Sequence, residues 1–433
     1  MKEEVVMKKR LFTGLLMAVL LVSGVKAENT FPFVIFEKMQ QEIEGNVIVS
    51  PFSLEQAIGM AANGAQGEAL PELLALTGDE SLAAMNQRNQ EFMTLLRQHE
   101  NDSLSYLRVA NSVWHLPTVG LMQPFRDSVT LRYDAEIDTA DFAMQYGIDS
   151  VNQWVNDNTD GLIEKILEQP DPVLTVALIN ATLFHGAWAV DAVEGGKMPF
   201  LNADGSGTNV DKVVMGPSSY KDLYLDDDFV GVGVRFAAED YGSHYSVMFI
   251  LPRDYQYTGT LTAEKWQSLL QHHSYSEVNL EVPKFDVSCS KDLLSWLQDL
   301  GAFVHNGFGG ITSNAFVSNV IHSTRMTLDE KGMSAAAVTM IGVTSGMPDH
   351  IEYVTINRPF YVAIMAEGTD EPIFLASIKQ LKGDACQAPT AQYITLGVEN
   401  VRAGDTFVKF IRDGKLLIET ENRTFDVTGR MIE

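Results

Sequence analysis

Cysteine and positive charge are both scarce in this chain. Its 433 residues include two cysteines, Cys289 and Cys386, so the fold does not rest on a disulfide framework. One bridge and two unpaired thiols fit the sequence equally well. Lys and Arg total 31 against 57 Asp and Glu, a formal charge of -26. So acidic a surface repels nucleic-acid phosphates and anionic lipid, and it excludes both as the main partner. The motifs of common catalysis are also missing: there is no Gly-x-Ser-x-Gly elbow, no His-Glu-x-x-His pair and no Walker loop. His272 and His273 are adjacent, but chain neighbours point apart and no acidic or cysteine ligand stands at metal spacing. A polar connection is expected there. No metal, no cofactor and no enzyme activity is implied.

What is present begins with an export signal. Lys8, Lys9 and Arg10 precede an apolar run, residues 11–22, and Val25-Lys26-Ala27 supplies small residues for cleavage. The run is too short to cross a membrane, so no transmembrane span is expected. Residues 1–27 are read as a signal peptide, and the mature protein is expected in the periplasm or outside the cell. Removing them takes away more basic than acidic residues and leaves the chain more acidic still.

From residue 28 to 382 the composition is even, without repeats, and reads as one domain. Helical periodicity starts at Ser53 and returns at 81–98 and from 147 to about 167. Strand-type runs follow at 174–184, 230–236, 246–251, 278–287, 354–365 and 373–378. Helices early and strands later indicate an α+β fold. Residues 383–392 read as a linker. Beyond them the tail alternates as short strands around Arg412-Asp413-Gly414, a small β-rich extension to 433. It resembles C-terminal tails of exported bacterial proteins; an accessory hairpin is the plainer alternative.

The segment 327–348 is unusual for its lack of charge after Lys331. Gly332 supplies a pivot, and small residues follow. As a strand, Met333, Ala335, Ala337 and Thr339 would share one face, and Ser334, Ala336, Val338 and Met340 the other. No position would carry a charge into a core. The same alanine-rich composition also suits a short helix.

Several motifs then fall in order: Asn-Val-Ile-Val-Ser-Pro-Phe-Ser-Leu at 46–54, Gly-Ala-Gln-Gly-Glu at 64–68, Ile-Asn-Ala-Thr-Leu-Phe-His-Gly-Ala-Trp at 179–188, Val-Pro-Lys-Phe at 282–285, His322, Glu-Lys-Gly-Met-Ser-Ala-Ala-Ala at 330–337 and Asn-Arg-Pro-Phe at 357–360. Together they resemble the serpin family over residues 30 to 381. The resemblance implies helices around three β-sheets and an exposed reactive loop. It also implies a suicide mechanism, in which a protease cuts the loop and is trapped as an acyl-enzyme while the loop enters the main sheet.

By the same resemblance, Glu330, Lys331, Gly332, Met333, Ser334, Ala335, Ala336, Ala337, Val338 and Thr339 form the hinge. Ser50, Ser53, Asn180 and His322 form the shutter beneath the opening sheet; helix capping by the two serines and a satisfied core histidine are the plainer alternatives. Trp188, Lys284 and Glu330 mark the breach, with Lys284 and Glu330 latching the loop base. Family spacing puts the scissile bond among Ser345, Gly346 and Met347. Lys and Arg are absent between Gly332 and Arg358, which excludes trypsin-like targets. The expected partners are elastase-, chymotrypsin- or subtilisin-like serine proteases or papain-like cysteine proteases, met by a monomer. Three residues depart from the family pattern: Met333 replaces a hinge Thr or Ser, Ala189-Val190 replaces a Phe after Trp188, and Ala376 replaces a Gly. Met333 keeps a second reading open, that of a non-inhibitory binding protein on the same fold.

Overall fold

A computed structural model describes residues 31–217, 220–255, 259–313, 317, 319–333 and 351–389, and the backbone of 408–412, 415–420 and 423–426. Its helices are α1 (Phe31–Glu42), α2 (Pro51–Ala62), α3 (Ala69–Thr77), α4 (Leu82–Arg97), α5 (Gln123–Tyr133), α6 (Gln145–Asn158), α7 (Ala263–Leu270) and α8 (Leu294–Asp299). The first half of the strands comprises β1 (Val47–Val49), β2 (Ser105–His115), β3 (Glu136–Thr139), β4 (Val176–Ala187), β5 (Ala192–Leu201), β6 (Gly207–Met215), β7 (Tyr220–Leu225), β8 (Phe229–Arg235), β9 (Tyr245–Pro252) and β10 (His273–Pro283). After these come β11 (Phe285–Asp292), β12 (Ile321–Leu328), β13 (Gly332–Met333), β14 (Glu352–Thr355), β15 (Phe360–Ala366), β16 (Pro372–Ile378), β17 (Asp384–Cys386), β18 (Val408–Arg412), β19 (Lys415–Thr420) and β20 (Arg423–Asp426).

Local chemistry explains the boundaries that matter here. Ser50 caps α2, its Oγ accepting from Ser53 N at 3.2 Å, with Pro51 at the first helical position. Ser81 caps α4 in the same way through Ala84 N. The helix expected to reach residue 167 ends at Asn158. Asp160 and Gly161 adopt φ of 47° and 78°, and the Thr159 hydroxyl donates to Val155 O and accepts from Ile163 N, so the chain turns out of the helix. Two long strand runs are each divided. Residues 278–287 split at Lys284, where the chain passes from β10 to β11 in another sheet, and 354–365 split at the Asn357-Arg358-Pro359 corner.

A six-stranded sheet has the order β11-β12-β13-β4-β2-β3. The other large sheet contains eleven strands. It is continuous because β10 pairs with β7 through 273–277 and with β6 and β14 through 278–283. Two of the family's three expected sheets therefore meet in one hydrogen-bonded path. The main core lies between the large sheets and helices, with Phe36, Phe229, Phe249 and Trp266 fully buried. A second apolar cluster packs α6 onto β2 and β4 through Trp114, Phe142, Ile148, Val151 and Ile179.

The expected linker opens with a strand: β17 pairs antiparallel with residues 207–209 of β6. In the tail, β18, β19 and β20 form a three-stranded antiparallel sheet. Cys289 is buried, Cys386 half-buried, and neither is in a disulfide. His273 is not in a polar connection. It opens β10, and its Nε2 lies 2.7 Å from Asp222 Oδ1, the acidic neighbour that sequence spacing did not reveal. Among the described residues no cluster of three His, Cys, Asp or Glu is placed to hold a metal, and no helix is long and apolar enough to cross a membrane.

Candidate functional site

Among the described residues, the six-stranded sheet is open in its middle, and no register joins β4 to β12. The two meet only through the two-residue β13, where Met333 stands opposite Leu328 on one side and Gly186 on the other. Below that bridge the strand edges part around a cavity of about 580 Å³, walled by residues 176–180 and 321–323 and floored by Ser53, Ala57 and Ala61 of α2. Unpaired strand edges hold backbone donors and acceptors in need of partners.

The upper end of the gap is fixed tightly. Asp329 Oδ1 accepts from Lys331 N at 2.8 Å and Gly332 N at 3.3 Å, which closes the turn between β12 and β13. Trp188 braces this turn, its Nε1 donating to Asp329 O at 2.9 Å and its backbone N to Lys331 O at 3.2 Å. The Trp188 ring stacks on Phe236, with centroids 5.1 Å apart. Lys284 Nζ stands 2.6 Å from Glu330 Oε2 and 2.8 Å from Glu194 Oε1. Partial burial works against the Lys284 charge, but the two carboxylates outweigh it and hold its pKa above the usual lysine value. Trp188, Lys284 and Glu330 are thus brought together at this turn, and Glu194 joins them from β5. Met333 is buried at 1% exposure.

Lower in the gap, Ser50 N donates to His322 Nε2 at 3.1 Å and Ser50 Oγ donates to Ile373 O at 3.0 Å. Ser50 is thus a helix cap and a histidine partner at once. Burial pushes the His322 pKa down to about 4, leaving the ring neutral with Nε2 as acceptor. Asn180 faces the same cavity, yet among the described residues it bonds to neither. Its Nδ2 donates to Asn111 Oδ1 at 2.8 Å, and its Oδ1 accepts from Thr182 at 2.6 Å. From Asn111 the polar chain runs to Tyr133 O at 2.8 Å and towards Gln56, whose Nε2 donates to Asn89 Oδ1 at 2.6 Å. Asn111 and Gln56 carry no sequence signal beyond being polar inside apolar runs. Ser334, Ala335, Ala336, Ala337, Val338, Thr339, Ser345, Gly346 and Met347 lie outside the described residues. Ala376 is fully buried between Ile48 and Val362.

Known proteins match along most of this chain. The family model described as Serpin (serine protease inhibitor) matches residues 26–380. Iripin-5 of Ixodes ricinus is 27% identical over 384 residues, covering 82% of this chain and 94% of the relative. The corticosteroid-binding globulin of Ovis aries is 27% identical over 369 residues, covering 80% and 83%. Among solved structures, the thermophilic serpin tengpin in its native state superposes with a TM-score of 0.71 at 28% identity, covering 82% of this chain and 94% of that one. With the parted sheet, the braced turn and these likenesses together, the chain belongs to the serpin family.

Proposed function

We propose that this serpin is a suicide inhibitor of proteases that use a serine or cysteine nucleophile. The supporting observation is the gap between β4 and β12, bridged among the described residues by the two-residue β13 at its upper end. Continuing the β13 register antiparallel to both neighbours puts Ala335 between Met326 and Phe184, Ala337 between Thr324 and Thr182, and Thr339 between His322 and Asn180. A freed loop entering there would pair both edges and fill the cavity. The native chain is then a kinetically trapped state above a more stable, inserted one. Cleavage forms the acyl-enzyme, and insertion carries the bound protease away before water can release it. Turn 329–332 is already in place, so the Glu330–Lys284 pair keeps the start of the new strand aligned.

The uncharged stretch after Lys331 suits enzymes that accept small or apolar residues, with cleavage among Ser345, Gly346 and Met347. The protein is read as an exported monomer acting outside the cytoplasm once residues 1–27 are removed. Incubation with elastase, chymotrypsin, subtilisin, papain and trypsin tests this. A denaturant-resistant adduct with one of the first four is expected, with the cut mapped by mass spectrometry. Cleavage of the loop without any adduct, and without a rise in melting temperature, would instead favour a non-inhibitory binding protein, a reading supported by the likeness to a corticosteroid-binding globulin.

A further inference from the structure

The chain contains two Asn-Gly dipeptides, Asn63-Gly64 and Asn306-Gly307, and the fold presses them against the same interface. After α8, residues 301–313 fold back over the junction of α2 and α3. Gln66 N donates to Gly307 O, and Gly310 N donates to Gly64 O at 3.1 Å. The approach is too close for side chains: a Cβ on Gly307 would lie 2.3 Å from Gln66 O, and one on Gly64 would lie 2.1 Å from Ile311. Phe303, Phe308 and Ile311 of this loop line the cavity between β4 and β12.

The two asparagines are held very differently. Asn63 is half-buried; its Nδ2 donates to Gly59 O at 2.8 Å and to Asn86 Oδ1 at 2.9 Å, and Gly64 N is occupied by Ala61 O. Asn306 is exposed, and among the described residues nothing bonds its side chain or accepts the Gly307 N–H. Glycine lacks the Cβ that would shield its nitrogen and it moves freely between backbone states.

We infer that Asn306-Gly307 is a self-modification site, whose spontaneous deamidation loosens the loop that lines this cavity. The Gly307 nitrogen attacks Asn306 Cγ, so a C–N bond forms, the bond to the side-chain nitrogen breaks, and ammonia leaves with the proton shed by Gly307. Water then opens the cyclic imide at either carbonyl, giving aspartate or isoaspartate. Isoaspartate lengthens the main chain by one methylene between two anchors. On one side Glu72 Oε2 accepts from Val304 N at 3.0 Å and His305 N at 3.3 Å; on the other Gln66 holds Gly307. Either product adds a carboxylate beside this Glu72 anchor, where like charge repels. Both anchors cannot keep their geometry with the longer chain between them.

The test is ageing of the folded full chain in mildly alkaline buffer, followed by peptide mapping for aspartate and isoaspartate. Conversion at Asn306 is expected roughly tenfold or more faster than at Asn63, which reacts only from locally opened molecules; in urea the two rates should converge. Equal folded-state rates at the two positions would overturn the site. Aged wild type should also melt below an equally aged Asn306→Gln variant, and coincident melting curves would overturn the effect on the loop.

Discussion

Ser50 and His322 stand 272 residues apart in the chain and meet through one bond, Ser50 N–H to His322 Nε2 at 3.1 Å. The bond requires a neutral ring, and burial supplies it by lowering the pKa from 6.5 to about 4. The unfolded chain then binds a proton more tightly than the native one. The stability contributed by the neutral ring is complete above pH 6.5 and is lost as the pH falls towards 4, to a total on the order of 3 kcal/mol. Chemical denaturation across that window should show the slope, and His322→Asn should flatten it. An unchanged slope in the variant would assign the effect to other groups.

Lys284 holds two carboxylates at once, Glu194 and Glu330. Lys284→Met leaves them as repelling neighbours at the turn that starts β13. Glu194 is largely exposed, so the change in global stability is expected to stay within about 1 kcal/mol. The larger effect should fall on insertion. With its turn loosened, more of the protein should be consumed as substrate for each protease trapped, read as a higher stoichiometry of inhibition on a denaturing gel. An unaltered stoichiometry would remove the pair from the insertion step.

The parts of this site readable in the sequence are those with local chemistry. Ser50-Pro51 announces a helix start and Ser81 another. Family spacing named Trp188, Lys284 and Glu330, and all three contact the 329–332 turn. Long-range polar pairing was not legible. Nothing in Asn111 or Gln56 tells which buried group each will satisfy, and Glu194 meets Lys284 only because the start of β5 comes close to the residue that follows β10. The strand-type alternation at 278–287 hid a change of sheet, although Pro283 marked the corner. The overrun of α6 to residue 167 passed over Thr159-Asp160-Gly161, a stop signal written in the chain.

Arg88 joins α4 to α2 and to the end of α3 by pairing with Glu55 and with Asp79, whose side chains are 5% and 7% exposed. Arg88→Met removes the shared cation and leaves two buried carboxylates facing each other. Such a loss costs about 3–5 kcal/mol. The variant should melt well below wild type, and Glu55→Gln combined with Arg88→Met should recover part of the loss. No recovery in the double variant would mean that Arg88 acts by packing rather than by charge.

Ala337 offers the most direct test of loop insertion. Its expected neighbours in the inserted strand are Thr324 and Thr182, both buried. Their hydroxyls are already committed, Thr324 to Ile48 O at 2.9 Å and Thr182 to Asn180 Oδ1 at 2.6 Å. A carboxylate at 337 would find no donor there, and its burial costs several kcal/mol. In the uncut protein the substitution should change melting temperature little. After cleavage the strand should stall near Ala335, the acyl-enzyme should hydrolyse, and the product should be cut Ala337→Asp protein with active protease. Ser334→Asp, on the opposite face beside half-buried Thr327 and His185, should retain much of the trapping. If Ala337→Asp traps protease as well as wild type, residues 334–339 do not enter the gap between β4 and β12.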